Sequence, residues 1–214
     1  MKQYSQYDEQ RYILAAFGWD QDGHGHGPDK ADCRFLDVGS YHPTEKSNTR
    51  ALYEMGWSGV MIEPSPGPMH ALLKEYGNDP RITLIQAAVS PTGGGLLDMA
   101  ITDDAVSSGS VEVQKTWAKE GGYFGRLLVP TVTPHDIATQ FGGFEFVNID
   151  AEGISVDLFC VMAKNLGWRP KCWCVETDNR DAELAAIAKA AGYKSVNDAQ
   201  FGVLGNGTNV VLVR

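Results

Sequence analysis

The sequence predicts an α/β fold in which helices cover both faces of a mostly parallel, seven-stranded sheet. From Arg34 onward, short apolar runs alternate with segments of helical periodicity, a pattern typical of right-handed crossovers between parallel strands. Near the end of the chain, Gly205-Asn206-Gly207 separates two apolar runs and predicts an antiparallel hairpin that adds an edge strand. The length of 214 residues suits a single domain over 1–214, which opens with a helix and a loop over 1–32.

The first half of the chain alternates regularly. A helix is predicted over 7–17, where Tyr12, Ile13, Leu14 and Phe17 supply an apolar face, and a Gly-, Asp- and His-rich loop follows over 20–32. Ser47 and Ser65 are placed to begin two further helices, the second with Pro66 at its first position. The apolar runs between these segments predict strands at 35–39, 59–63 and 82–89.

The middle of the chain departs from this rhythm before the alternation resumes. Strands are predicted at 96–101 and 127–132 around a polar, Gly-rich stretch, which we interpret as an acceptor-site insert or lid over 104–126. Thr133, Pro134 and Asp136 form a helix-start signature. Further strands are expected at 144–150, 171–176, 193–203 and 208–213, with helices at 154–162 and 182–191.

Charge and composition exclude several classes of protein. The chain has 18 Lys and Arg against 27 Asp and Glu, a net charge of −9, which argues against general binding of nucleic acid. A local basic patch of Lys115, Lys119 and Arg126 is the one feature that could still serve a nucleic-acid acceptor. No apolar run approaches the ~20 residues that span a bilayer. The N-terminus lacks a signal-peptide core and the four cysteines lack zinc spacing, so reduced thiols in a cytoplasmic protein are expected.

The ends of the first two strands carry the charge that points to a ligand. Ligands of open α/β sheets bind beyond the carboxyl ends of the strands, where Asp37-Val38-Gly39-Ser40 and, 24 residues after Gly39, Glu63 are found. The dinucleotide fingerprint Gly-x-Gly-x-x-Gly is missing. An acid before the glycine has the wrong charge for a pyrophosphate and the right charge for an ammonium and a sulfonium. This favours S-adenosylmethionine over NAD.

Several motifs together resemble the FkbM-type methyltransferases. They are residues 35–49 (FLDVGSYHPTEKSNT), 52–59 (LYEMGWSG), 62–66 (IEPSP), 148–153 (NIDAEG) and an upstream segment at 5–10 (SQYDEQ). The resemblance extends over about residues 5 to 176. Two positions depart from the family pattern: Pro43 stands where many members have a second glycine, and Asn148 replaces the usual lysine.

The resemblance implies a fold, a cofactor and an acceptor class. Members of the family are S-adenosylmethionine-dependent enzymes with a class I, Rossmann-like sheet, and they mostly methylate hydroxyl groups of sugars or secondary metabolites. We therefore expect a small-molecule or glycan acceptor. The residues expected to bind the cofactor are Asp37, Gly39, Ser40, Glu63, Pro64, Ser65, Gln86 and Ala87. Among them, Asp37 is assigned to the ammonium, directly or through water, and Glu63 to the ribose hydroxyls.

The candidate catalytic residues follow the strand expected at 144–150. Transfer of a methyl group to a hydroxyl requires loss of its proton, and we predict that Asp150 takes that proton or orients the hydroxyl. Glu152 is a second candidate, or else an acid that favours the following helix N-terminus. His42 and His135 are alternative bases. Glu176 and Asp178 end the next strand, and with Asp150 they could hold Mg²⁺ as a second cofactor.

Two other functional classes stay open at this point. One is an NAD-dependent enzyme on a similar sheet, which the missing glycines disfavour. The other is a binding protein that keeps the cofactor fold without chemistry.

Overall fold

The computed structural model describes residues 1–29, 32–101, 125–196 and 209–214. Most of the predicted insert over 104–126, including Lys115 and Lys119, lies outside the described residues, as does the predicted turn at 205–207. The described strands are β1 (Arg34–Val38), β2 (Ser58–Ile62), β3 (Ile82–Ile85), β4 (Ala88–Val89), β5 (Gly95–Ile101), β6 (Gly125–Val132), β7 (Phe146–Ile149), β8 (Cys172–Glu176), β9 (Lys194–Ser195) and β10 (Asn209–Val213).

The described helices lie close to their predicted positions. They are α1 (Glu9–Ala16), α2 (Arg50–Glu54), α3 (Pro66–Tyr76), α4 (Pro134–Phe141), α5 (Ser155–Phe159), which continues as a π-helical stretch (Cys160–Asn165), and α6 (Asp181–Ala190). The predicted start of α4 is confirmed. Thr133 Oγ1 accepts a hydrogen bond from Asp136 N at 3.1 Å, and Asp136 Oδ2 accepts one from Thr133 N at 2.9 Å. Pro134 occupies the first position, where no N–H is needed.

Seven strands form the central sheet in the order β3-β2-β1-β7-β8-β10-β9. The pairs from β3 to β8 are parallel, whereas β10 is antiparallel to both β8 and β9. The predicted α/β class, the mostly parallel seven-stranded sheet and the antiparallel C-terminal pairing are therefore confirmed. The predicted edge strand is β9, because β10 lies between β8 and β9.

A second sheet of three strands has the order β4-β6-β5. It corrects the prediction of one continuous strand over 82–89, because the chain leaves the central sheet after Ile85 and β4 pairs with β6. The apolar run from Ile82 to Val89 concealed this break, since both halves are apolar but belong to different sheets.

Apolar side chains on both faces of the central sheet are covered by helices, as predicted. On one face, α1, α2 and α3 pack Leu14, Leu52 and Leu72 against the strands. On the other, α4, α5 and α6 contribute Ile137, Leu158 and Leu184. All four cysteines are free thiols, three buried and Cys160 half-buried. Of the helices in the described ranges, none has the length and apolar character needed to cross a membrane.

Candidate functional site

Polar side chains gather at the carboxyl ends of β1, β2, β7 and β8. Asp37 of β1 is the register partner of Asn148 of β7, which is in turn the partner of Cys174 of β8. Register partners point to the same face, so these three side chains form a row on the face that α1–α3 cover. Asp150 and Glu176 come two residues further along β7 and β8 and continue the same face at the edge. We call Asp37, Glu63, Asp150, Glu152 and Glu176 the acidic edge.

Asp37 is the most deeply buried member of the acidic edge, with 2% of its surface exposed. Its Oδ1 accepts a hydrogen bond from Asn148 Nδ2 at 2.8 Å, and its Oδ2 accepts one from Thr49 Oγ1 at 2.5 Å. Burial raises the pKa of this carboxyl, and the two hydrogen bonds act in the opposite direction. Asp37 therefore joins β1, β7 and the segment that precedes α2.

Asn48 extends this network. Its Nδ2 donates to Asn148 Oδ1 at 3.0 Å and contacts Cys174 Sγ at 3.4 Å. The side chain is buried, and its Oδ1 has no hydrogen-bond partner in the described part of the chain. A buried amide oxygen without a donor is costly, so this atom fits a ligand or a water that supplies one.

Glu63, 5% exposed, joins two loops. Its Oε2 accepts a hydrogen bond from Tyr41 N at 2.9 Å, and its Oε1 accepts one from Ser65 N at 2.7 Å. Burial raises the pKa of Glu63, while these backbone donors lower it. The Ser65 side chain also hydrogen-bonds this carboxylate, so the surrounding loops occupy most of its acceptor positions.

Gly39 is required by close packing at the turn after β1. Its φ is +78°, and a Cβ built there would lie 1.8 Å from the carbonyl oxygen of Asp150. The next residue, Ser40, is buried and donates from Oγ to Asp37 O at 3.0 Å. The backbone of the first turn thus contacts the backbone that carries the predicted base.

Three acids converge after β7 and β8. Carboxyl oxygens of Asp150, Glu152 and Glu176 all lie within 4.8 Å of one another. Burial raises the pKa of Asp150 to about 6, with a hydrogen bond from Glu176 acting against it. Burial also raises the pKa of Glu176 well above its ordinary value, and the charge of Asp150 adds to that rise. Asp178 is held apart by the backbone, since its Oδ1 accepts from Gly153 N at 2.8 Å and its Oδ2 from Val156 N at 3.2 Å.

Unusual backbone conformations mark the same edge. In the described ranges, the non-glycine residues with positive φ are Tyr41, Lys46, Glu152, Asp178 and Asn179. All of them lie in the loops that follow β1, β7 and β8. Such conformations cost free energy and concentrate at binding and catalytic sites, so their grouping here favours a functional edge.

The remaining predicted residues have simpler surroundings. His42 Nδ1 accepts hydrogen bonds from Thr44 N at 3.3 Å and Glu45 N at 3.1 Å, so its basic nitrogen is already occupied by the loop. Gln86 is exposed and Ala87 is buried where the chain passes from β3 to β4. Pro64 is half-buried and Ser65 buried beside Glu63, whereas His135 is exposed on α4.

Four residues of the site were missed by sequence reasoning. Thr49 donates to Asp37 and Asn48 donates to Asn148, as described above. Ser155 Oγ accepts a hydrogen bond from Ala151 N at 2.9 Å and donates one to Glu176 Oε2 at 3.3 Å. Glu9 on α1 is fully buried: its Oε2 accepts from Tyr7 N at 2.8 Å, while its Oε1 has no partner in the described residues. Glu9 left no signal, because it begins α1 beside the polar residues Asp8, Gln10 and Arg11.

Four acids of this edge lie away from basic side chains in the described part of the chain. Within the residues that the structure covers, Asp37, Glu63, Asp150 and Glu176 form no ion pair with lysine or arginine. Lys46 is exposed in the loop after β1, and its charge lowers the pKa of Asp150. Buried carboxylates need a cation or hydrogen-bond donors, and Asp37 and Glu63 are compensated by the donors described above.

The fold and the site together define an α/β protein with a cluster of acidic residues at the carboxyl ends of its strands. No family model matches the chain, and no curated protein matches it significantly.

Proposed function

We propose that this protein is an S-adenosylmethionine-dependent methyltransferase that methylates a hydroxyl oxygen of a sugar, glycan or secondary metabolite. The observation that carries the proposal is the gathering of four carboxyl groups, those of Asp37, Glu63, Asp150 and Glu176, at the carboxyl ends of neighbouring strands. Asp37, Glu63, Asp150 and Glu176 lie where α/β sheets bind ligands, and none of them has a lysine or arginine ion-pair partner in the described residues. S-adenosylmethionine has both a sulfonium and an ammonium group, whereas NAD would bring a pyrophosphate.

The residues present fit this cofactor chemically. Glu63 lies at the end of β2, where its carboxylate can accept a hydrogen bond from a ribose hydroxyl. Asp37 contributes its charge from a buried position in the acidic edge. Its hydrogen bonds with Thr49 and Asn148 hold the segments around the ligand in place.

The architecture also supports the proposal. In the order β3-β2-β1-β7-β8-β10-β9, strand β10 lies between β8 and β9 and is antiparallel to both. This order is typical of the class I methyltransferases that the motif resemblance implies. A fold alone does not establish an activity, so the strand order supports the charge argument and does not replace it.

When bound, S-adenosylmethionine supplies a methyl group activated by the sulfonium. The protein has to align the acceptor hydroxyl with that methyl group and remove the hydroxyl proton. Asp150 is the best-placed base, because it is partly exposed at the edge, and burial raises its pKa to about 6. Base assistance of this kind contributes ~10²–10⁴-fold to a rate. Glu152 stays a second candidate.

Ligand binding and methyl transfer test the proposal together. S-adenosylhomocysteine is expected to raise the melting temperature, whereas NADH leaves it unchanged. Incubation with isotopically methyl-labelled cofactor and a metabolite or glycan extract is expected to label an acceptor. Stabilisation by NADH alone would indicate the NAD-dependent alternative, and cofactor binding without any labelled product would indicate a binding protein. The predicted Mg²⁺ stays a prediction, tested by labelling after dialysis against EDTA with and without added Mg²⁺.

A further inference from the structure

Helix α1 runs along the face of the central sheet that carries Asp37, and its first residue lies toward the acidic edge. Phe17, which follows the helix, has Lys171 Nζ 5.4 Å from its ring centre and packs edge-on against Trp57. Lys171 precedes β8 and Trp57 precedes β2, so α1 ends at the amino ends of these strands. A helix of eight residues is about 12 Å long, which is comparable to the length of β8, so α1 begins near the carboxyl ends.

Glu9 is the first residue of α1, and its side chain faces the sheet. It lies one turn before Ile13, which is buried in the same apolar cluster as Cys174 of β8. None of the surface of Glu9 is exposed. Its Oε2 accepts a hydrogen bond from Tyr7 N at 2.8 Å, whereas its Oε1 has no partner in the described residues. A buried carboxylate oxygen without a donor is costly, so this atom is suited to a donor from a ligand.

Two more buried oxygens without partners come from segments that meet the start of α1. A hydrogen bond of 3.1 Å from Ser47 N to Tyr4 O joins the N-terminal segment to the loop after β1. Ser5 and Asn48 are the next residues of these two segments, and both are buried. In the described part of the chain, Ser5 Oγ and Asn48 Oδ1 have no hydrogen-bond partner. Because Asn48 Nδ2 also contacts Cys174 Sγ at 3.4 Å, these oxygens belong to segments that meet α1 and β8.

The other buried acids are already bonded by the protein. Both oxygens of Asp37 accept hydrogen bonds from side chains, and both oxygens of Glu63 accept them from backbone N–H groups. Among the buried acids in the described ranges, Glu9 alone keeps an oxygen without a donor. An ammonium group has three N–H donors and a positive charge, which match one carboxylate oxygen and two neutral oxygens.

We propose that Glu9 binds the ammonium group of the cofactor's amino-acid part, with Asn48 Oδ1 and Ser5 Oγ as the other acceptors. This inference rests on the proposed methyltransferase function and adds a residue of α1 to the cofactor site at the strand ends. It moves the direct contact with the ammonium group from Asp37, the residue expected from the sequence, to Glu9. Asp37 then acts through the segments that its hydrogen bonds hold in place.

Two ligands that differ only in the amino-acid part test this role by calorimetry. S-adenosylhomocysteine has the ammonium group, whereas 5′-methylthioadenosine has the same thionucleoside without the amino-acid part. Glu9→Gln is expected to raise the Kd of S-adenosylhomocysteine about 10- to 100-fold, because it removes the charge that faces the ammonium group. The same substitution should leave the Kd of 5′-methylthioadenosine within about 3-fold of wild type, since this ligand does not reach Glu9.

A second variant and a control accompany this substitution. Ser5→Ala breaks no side-chain hydrogen bond within the described residues and is expected to raise the Kd of S-adenosylhomocysteine alone, by about 3- to 10-fold. Asp8→Asn makes the same change of charge on the exposed residue before Glu9 and should alter neither Kd. Urea denaturation establishes that each variant is folded. If Glu9→Gln does not fold, Ser5→Ala decides the matter by the same comparison of the two ligands.

The outcomes separate this inference from the proposed function. A wild type that binds neither nucleoside refutes the proposed function, and the role of Glu9 falls with it. A wild type that binds both, with an equal loss for both ligands in Glu9→Gln or no loss for either, overturns only the role of Glu9. Stabilisation of the wild type, and not of Glu9→Gln, by Na⁺, K⁺ or Mg²⁺ alone also overturns it, because the three oxygens would then hold an inorganic cation.

Discussion

Asp37 Oδ1 accepts a 2.8 Å hydrogen bond from Asn148 Nδ2, which links β1 and β7 through their side chains as well as their backbones. The Oδ1 of the same Asn148 accepts a hydrogen bond from Asn48 Nδ2, so one neutral amide donates to a buried carboxylate and accepts from a buried amide. A buried carboxylate without a cation depends on such donors. The stability of the acidic edge should therefore depend on Asn148.

Asn148→Ala is expected to lower the free energy of unfolding by about 1–3 kcal/mol, because it leaves Asp37 Oδ1 without its donor. Urea denaturation at pH 7 measures the change. Asn78→Ala, on an exposed turn, is the control and should stay within about 0.5 kcal/mol of wild type. An equal effect of the two substitutions would show that the network contributes nothing to stability.

The pH dependence of stability is set by the raised pKa values of the buried acids. Burial raises the pKa of Asp37, Glu63 and Glu176, and that of Asp150 from 3.8 to about 6. Between pH 4.5 and 6 the folded chain therefore binds more protons than the unfolded chain, so its stability falls as pH rises through this window. Acids whose pKa is lowered, such as Asp79, change their protonation and affect the stability only below this pH window.

Urea denaturation at pH 4.5, 6 and 7.5 is expected to show this decline. The stabilisation by saturating S-adenosylhomocysteine is expected to grow over the same window, since its ammonium group compensates carboxylates that have become ionised. Asp150→Asn should flatten the decline in the free protein. A stability that rises between pH 4.5 and 6 would contradict the assignment of raised pKa values.

Glu9 offers a separate test, because this buried acid lies on α1 rather than on a strand. Burial raises its pKa from 4.5, and its Oε1 has no hydrogen-bond partner in the described residues. Glu9→Gln removes the cost of ionisation, so it is expected to stabilise the protein more at pH 7.5 than at pH 4.5. Equal effects at the two pH values would show that Glu9 is compensated when ionised.

The sequence allowed most elements to be predicted, because strand and helix periodicities are local. The start of α4 was predicted in detail, since Thr133 and Asp136 are three residues apart. The break after Ile85 and the internal position of β10 were not predicted. Both depend on pairing with distant strands, β4 with β6 and β10 with β8, which local patterns do not encode.

The candidate site could be predicted only in part for the same reason. Acids at the ends of successive parallel strands must share one edge, which is why Asp150 and Glu176 were expected near each other. Their hydrogen-bond partners come from other segments: Asn148 is 111 residues from Asp37, and Ser155 is 21 residues from Glu176. Asn48, Thr49 and Asn148 lie in the motifs of the family resemblance, but their types did not indicate which distant side chains they would bind, and Ser155 looked like an ordinary helix-start residue.

Gly39 allows a test of how the first turn controls the predicted base. Its φ of +78° costs an alanine about 1–2 kcal/mol, and the new Cβ would also meet the Asp150 carbonyl oxygen at 1.8 Å. Gly192 has a φ of +83°, and a Cβ added there would have nothing within 4 Å, so Gly192→Ala carries a positive-φ cost without the collision. Gly39→Ala is therefore expected to destabilise the protein by more than Gly192→Ala. It should also weaken S-adenosylhomocysteine binding and move the Asp150 titration, both of which Gly192→Ala leaves unchanged. Urea denaturation, calorimetry and carboxyl NMR measure the three effects, and matching results for the two variants would show that the turn and the base are independent.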